Sequence, residues 1–166
     1  YIAKGDIYQV NLSQRFSAGG SSFKNIELYQ NLRQIFPTAF SAYLDCADFQ
    51  ILSASPERFL KLENNLIQTR PMKGTRRRGE NALEDEQLKQ ELLKSKKDQA
   101  ELVMIVDLER NDLGRVCAYG SIKVRRKRIL ESYNTVFQTT ALIEGKLHKD
   151  KNRIDLIKAC FPGGSI

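Results

Sequence analysis

Residues 6–16 read "DIYQVNLSQRF", with Tyr8, Val10, Leu12 and Phe16 on one face and Gln9, Asn11, Ser13 and Arg15 on the other. A period of two predicts a half-buried strand with a polar face. The period then changes. In "FKNIELYQNLRQIF" the apolar residues Ile26, Tyr29, Leu32 and Phe36 recur at helical spacing. A helix is predicted there, capped by Ser21 or Ser22 and ended by Pro37, which cannot continue it. Two hairpins follow. "FSAYLDC" and "FQILSAS" flank Ala47 and Asp48, and "RFLKLE" and "LIQTR" flank Asn64 and Asn65. Asparagine tolerates the positive φ of a tight turn.

Leu83, Leu88, Leu92 and Leu93 lie in a charged stretch that predicts a surface helix. Ser95 opens a second helix, dense in apolar residues and ended by Asn111 to Gly114. "SIKVRRKRIL" and "NTVFQTTALIEGKL" predict two strands, and "NRIDLIKAC" a last helix. Hairpins and separate helices, rather than alternating βαβ units, place the chain in the α+β class, with antiparallel sheets and flanking helices.

Composition narrows the function. The chain has 166 residues, 41% of them hydrophobic, enough for one domain with a core. No apolar run is long enough to cross a membrane, and "YIAKGDIYQV" has no export signal. The first residue is not Met, so a segment of a longer protein is expected. The net charge of +7 (27 Lys and Arg against 20 Asp and Glu) favours anionic partners. Cys46, Cys117 and Cys160 are sparse, odd in number and without metal-ligand spacing, as expected of buried free thiols in a reducing cytoplasm. His148 is the sole histidine and sits in a polar stretch, so a histidine-based triad is excluded.

Three places carry candidate chemistry, each with a plain alternative. On a helix, Asp98, Glu101, Ile105 and Leu108 share a face. An acid between apolar turns needs a cation, either Mg²⁺ or an arginine. In "SASPERF", Glu57 follows a proline at a strand end, and a carboxyl there is either a general acid in a cleft or an exposed turn residue. In "RPMKGTRRRG", Lys73 precedes a Gly-Thr turn. A lysine beside other cations becomes a nucleophile when its amine is deprotonated, or it is simply a basic turn in water. Arg76, Arg77 and Arg78 are candidates to tune it. The basic run 125–128 alternates faces, is expected to be solvated, and lacks the interleaved aromatics of a single-strand binder. A nucleic-acid partner is also opposed by Glu57, Glu101, Asp107 and Asp112, which would repel phosphates.

Together, "GDIYQVNLSQRF", "SPERFL", "RPMKGTRRRG", "KDQAELVMIVDLERNDLGRVC", "GSIKV" and "FPGGSI" resemble, in order, the motifs of the chorismate-utilising enzymes. The resemblance runs from about residue 3 to the end. It implies a partial chorismate-binding domain over 1–166, because "FPGGSI" is similar to the start of a longer "TGAPK" stretch. Water-using members carry a lysine base where this chain has Gln9. Anthranilate synthases carry a small residue where it has Lys73. The pair therefore resembles the ammonia-using aminodeoxychorismate synthase component I branch, with the anthranilate synthases as the alternative.

By the same resemblance, Lys73 attacks C2 of chorismate while Glu57 protonates the departing 4-hydroxyl. Ammonia from a glutamine amidotransferase partner then adds at C4 and expels Lys73. Glu101 binds Mg²⁺, and Gln9, Gly74 and Thr75 line the substrate pocket. Gln138 stands where many members have a histidine. Phe36 and Ala39 depart from the family pattern before the second strand.

Overall fold

The computed structural model describes residues 1, 3–7, 10, 12–19 and 24–164. The chain divides into two compact units, one carrying residues up to Ala54 and the other starting at Ser55.

The first unit holds α1 (Asn25–Ile35) and a hairpin of β1 (Ala42–Asp45) and β2 (Gln50–Ser53). α1 ends one residue before Phe36, as the following proline requires. Tyr29 is its buried residue and packs on Tyr43 with ring centroids 5.6 Å apart, whereas Ile26 and Phe36 are exposed. Lys24 occupies the N-cap without a side-chain bond. The serines expected to cap the helix lie outside the described residues. The Ala47–Asp48 turn forms as predicted, with Ala47 at φ 67° and its N–H donating to Asp45 Oδ1 at 3.1 Å.

The strand expected over residues 6–16 does not form among the described residues there. Leu12 and Phe16 are 95% and 83% exposed. Alternation alone does not make a strand. It needs a ladder partner and an apolar surface, and the described residues of this stretch have neither. Tyr8, Gln9 and Asn11 lie outside the described residues.

The second unit is built on β7 (Val136–Lys146). β3 (Arg58–Glu63) and β4 (Leu66–Arg70) form the second predicted hairpin, with Asn64 and Asn65 at φ 48° and 65°. β5 (Met72–Arg77) follows after Pro71 alone. β4 pairs with residues 143–146 of β7 and β5 with residues 136–140. The two therefore lie end to end along one edge of β7. β6 (Lys123–Ser132) pairs with the same residues of β7 and so takes its other edge. Every pairing in the sheet is antiparallel, and the α+β architecture is the one expected.

α2 (Ala82–Lys94) and α3 (Lys96–Gly114) meet at Ser95, whose hydroxyl accepts from Asp98 N–H at 3.2 Å and caps α3. α4 (Arg153–Cys160) starts with a capping box between Asn152 and Asp155. Ile67, Ile143, Leu113, Val116, Leu147 and Leu156 are core members shared by the sheet, the α3 end and α4. Each such side chain contributes roughly 1.5–3 kcal/mol by leaving water. Cys117 and Cys160 are buried in the same core as free thiols, and Cys46 is exposed. Burial pushes both buried thiols up to about 11. Among the described residues, no helix is long and apolar enough to cross a membrane.

Candidate active site

Lys73 does not sit in a turn. It is a half-buried residue of β5, paired with Thr139 of β7, and its carbonyl accepts from the Thr139 hydroxyl. The ladder shifts register between Lys73 and Thr75, with Gly74 at φ 79°. Only glycine takes that conformation without strain, so the residue is a bulge in a strand. A Cβ on Gly74 would fall 2.9 Å from both Asp98 Cβ and Leu92 Cδ1. The side on which a Cβ would stand is filled by the α2–α3 junction.

Glu57 is half-buried in the segment before β3, and its Oε1 accepts from the Met72 N–H at 2.8 Å. That amide belongs to the residue before Lys73. The sheet thus carries the two candidate catalytic residues, sixteen positions apart in sequence, to one place. Thr75 pairs with Gln138 in the ladder, and the Gln138 amide donates to the Thr75 hydroxyl at 3.3 Å. Gln138 Oε1 is buried without a hydrogen-bond partner.

The inner stripe of α3 keeps Asp98 and Ile105 of the predicted face and takes Leu102 and Glu109 in place of Glu101 and Leu108. Its members are Asp98, Leu102, Ile105, Glu109 and Leu113, at steps of four, three, four and four. Glu101 lies beside that stripe, 42% exposed, with Lys97 Nζ 3.8 Å from its carboxylate. The buried acid is therefore Asp98, which receives Arg76 at 3.2 Å. Among the described residues, no three His, Cys, Asp or Glu side chains gather into a metal site of their own. A lone, half-exposed carboxylate still fits Mg²⁺ as one donor, because this ion keeps most of its water and takes other oxygens from a substrate.

The arginines of "RPMKGTRRRG" have no role in tuning Lys73 that the geometry supports, since each is matched to a carboxylate. Arg76 bonds Glu91 at 2.7 Å as well as Asp98. Arg77 pairs with Glu84. Arg78 bonds Asp85 through both Nε and Nη2, reaches the Tyr133 carbonyl at 2.9 Å, and stacks over Phe137 at 4.6 Å. The Arg78 guanidinium and the Gly79 N–H hold the Asp85 carboxyl down at about 2. Nor is the 125–128 run simply solvated. Arg125 pairs with Glu144 at 2.6 Å, and Arg128 donates to the Leu92 and Leu93 carbonyls at 2.7 and 2.9 Å. The latter closes the C-terminus of α2.

One residue that the sequence reading missed is Glu109. Its Oε2 lies 2.7 Å from the Thr69 hydroxyl. With Glu57, Ser55, Arg58, Phe59 and the backbone at Gly163 and Gly164, it lines a cavity of about 260 Å³. That is just under the roughly 300–1,000 Å³ of small-ligand pockets. Lys73 is close enough to Glu109 to act on its charge but does not line the cavity. Burial pushes the Glu109 carboxyl up to about 7, helped by the like charges of Glu57 and Asp112 and opposed by the Thr69 hydrogen bond and Lys73. Its signal in the sequence was an acid at a four-residue step from Leu113 on the inner stripe.

The family model described as chorismate binding enzyme matches residues 1–166. The whole chain is 48% identical to an anthranilate synthase component I-like protein of Synechocystis sp. and 45% identical to aminodeoxychorismate synthase component 1 of Bacillus subtilis. It covers 34% and 35% of those proteins, so it spans about a third of the curated relatives it matches. The crystal structure of anthranilate synthase component I from Streptococcus pneumoniae superposes with a TM-score of 0.74 at 32% identity, over 87% of this chain and 31% of that one. Relatives of both activities are thus about equally similar to the chain.

Proposed function

This chain belongs to the chorismate binding enzymes, and from that premise we propose that the complete protein is an aminodeoxychorismate synthase component I. It would convert chorismate and ammonia into 4-amino-4-deoxychorismate, a precursor of p-aminobenzoate and folate. The observation that carries the reading is the meeting of Glu57 with the backbone next to Lys73. A nucleophile and a proton donor on one edge of a sheet suit the displacement of a hydroxyl by an amine.

In the proposed sequence, the Lys73 amine bonds to C2 of chorismate. Both ring double bonds shift, from C1=C2 and C5=C6 to C1=C6 and C4=C5, as the C4–O bond breaks and the 4-hydroxyl leaves as water with the proton from Glu57. Ammonia adds at C4, both double bonds return to their first positions, and the C2–N bond breaks so that Lys73 departs as an amine. Glu101 would hold Mg²⁺ by one carboxylate oxygen, and the ion would supply charge to bind a substrate carboxylate. Thr75 and Gln138, hydrogen-bonded to each other, would present one polar pair to the substrate, with the unpartnered Gln138 Oε1 available to accept from a hydroxyl or ammonia. Gln9 has its role from the sequence alone, since it lies outside the described residues. Ammonia would come from a glutamine amidotransferase, in keeping with the word "component" in the names of the relatives.

Anthranilate synthase is the second reading, favoured by the equal similarity of relatives with that name. Product analysis of the full-length protein with chorismate and ammonia separates the two. Aminodeoxychorismate without pyruvate is expected. Anthranilate together with pyruvate would overturn the assignment.

A further inference from the structure

The proposed displacement breaks a C–O bond and makes a C–N bond at the same carbon. Ammonia brings three hydrogens to C4 and the product amine keeps two, so one proton must be taken up where the bond forms. Glu57, as the donor to the departing hydroxyl, marks where C4 must lie. Few side chains there can accept a proton. In the cavity of about 260 Å³ that Glu57 lines, Arg58 is a permanent cation. The Ser55 hydroxyl is tied to the Glu57 backbone, donating to its carbonyl at 3.3 Å and accepting from its N–H at 3.2 Å. The rest of the lining is aromatic or glycine, apart from Glu109.

The fold presents Glu109 in a definite way. Thr69, almost fully buried, donates to Glu109 Oε2 at 2.7 Å. Glu109 Oε1 has no hydrogen-bond partner among the described residues and is not sealed off from the cavity. Thr69 pairs with Ile143 and Lys73 with Thr139, four positions apart on β7, so both side chains stand on the same face of the sheet. Glu109 meets that face at Thr69. The nucleophile and the second carboxylate are therefore on one side, and Glu57 shares the cavity with the latter. Burial pushes the Glu109 carboxyl up to about 7, which suits a group that gains and loses a proton near neutrality.

We infer that Glu109 is the general base of the amination step: Oε1 accepts a hydrogen bond from ammonia and takes its proton as the C4–N bond forms. This rests on the aminodeoxychorismate synthase reading and on the Lys73 adduct within it. The nitrogen lone pair becomes the bond to C4. One N–H bond breaks, its proton passes to Oε1, and its electrons stay on nitrogen as the lone pair of the product amine. Turnover starts with Glu57 protonated and Glu109 ionised, and it ends with the two states exchanged. Because both carboxyls line one cavity, a water between them returns the proton, and the pair works with one proton for two acids.

Two measurements on the full-length protein separate the inference from its premise. The first uses chorismate in oxygen-18 water without ammonia. Reversible formation of the Lys73 adduct should exchange the 4-oxygen, at the same rate in wild type and Glu109→Gln, because that half of the reaction uses Glu57 alone. No exchange in the wild type would overturn the Lys73 route, and the inference with it. The second is the rate of amination with an ammonium salt. Glu109→Gln still accepts from Thr69 but cannot take a proton. It should lower kcat/KM for ammonia by roughly 10²–10⁴-fold, with KM for chorismate unchanged. Wild-type amination in the variant would show that Glu57 serves as both acid and base, and would overturn the inference alone. Equal loss of exchange and amination would overturn it too, since Glu109 would then not be confined to the second half. If Glu109→Gln does not fold, Thr69→Val, which releases Oε2, should slow amination and spare exchange. Amination at the wild-type rate in that variant would count against the inference.

Discussion

The two ends of α3 face the same sheet with the same kinds of side chain and use them differently. At the N-terminal end, Asp98 is buried and meets Arg76, which also holds Glu91 of α2. Arg77, Arg78 and Arg128 add three more ties between the sheet and α2. Every acid in that clamp has a guanidinium. Near the C-terminal end, Glu109 and Glu57 share a cavity, and Glu109 meets a hydroxyl in place of an arginine. Matched charge fixes the first end in place. At the second end Glu109 meets a hydroxyl, and burial pushes its carboxyl up to about 7. At the first end arginines tie elements together, and at the second two acids gather in a cavity that Arg58 also lines.

The comparison can be broken by substitutions at either end. The largest effect is expected at the acid-rich end, in the full-length protein. Lys73→Ala should lower product formation on the order of 10³-fold or more, as loss of a nucleophile does. Glu57→Gln should lower it by roughly 10²–10⁴-fold, the range for a general acid. Both variants should keep the wild-type Tm to within a few degrees. A matching collapse of Tm would mean that these residues hold the fold, and that the two ends do not differ.

Gly74→Ala stands between the ends, because Gly74 is in the site strand but touches the clamp. It meets both a positive φ and two contacts at 2.9 Å. A destabilisation of about 2 kcal/mol or more is expected from denaturant unfolding. An unchanged midpoint would show that α2 and α3 are not seated on β5 as described.

At the clamp end, Arg78→Gln should lower Tm by several degrees while leaving kcat unchanged. It should also release the Asp85 carboxyl from its value of about 2. The wild-type ion pair is present above the ordinary Asp value of 3.8 and lost as pH falls through about 2. The variant should therefore lose stability at neutral pH and match the wild type more closely in strong acid. The smallest effect is expected at Asp107–Arg110, an exposed pair on the outer face of α3. Asp107→Asn should change stability by less than about 1 kcal/mol, which calorimetry can check.

Much of the architecture was legible from local pattern. Both hairpins form where paired strand signals flank two-residue turns, and α1, α2 and α3 end where proline or capping residues require. These features depend on neighbours in the chain, so the chain order reveals them. The stretch 6–16 shows the limit, because its alternation had no sheet to join among the described residues. Site residues divide in the same way. Lys73 and Glu57 were recognisable by their motifs. Glu109 was not, because an acid on a helix acquires its meaning from the Thr69, Glu57 and Lys73 that surround it.

The sequence by itself determined the family, the helices, the hairpins and the residue types available for amination chemistry. Only the tertiary structure decided which charges are spent on holding elements together and which remain for a reaction. It made a strand bulge of the Gly74 position, turned three arginines into ties to α2 and α3, and moved the buried acids of α3 to Asp98 and Glu109. The physical reason is that a charged group's state depends on what lies within a few ångströms of it, and those neighbours come from segments far apart in the sequence, 40 positions between Thr69 and Glu109.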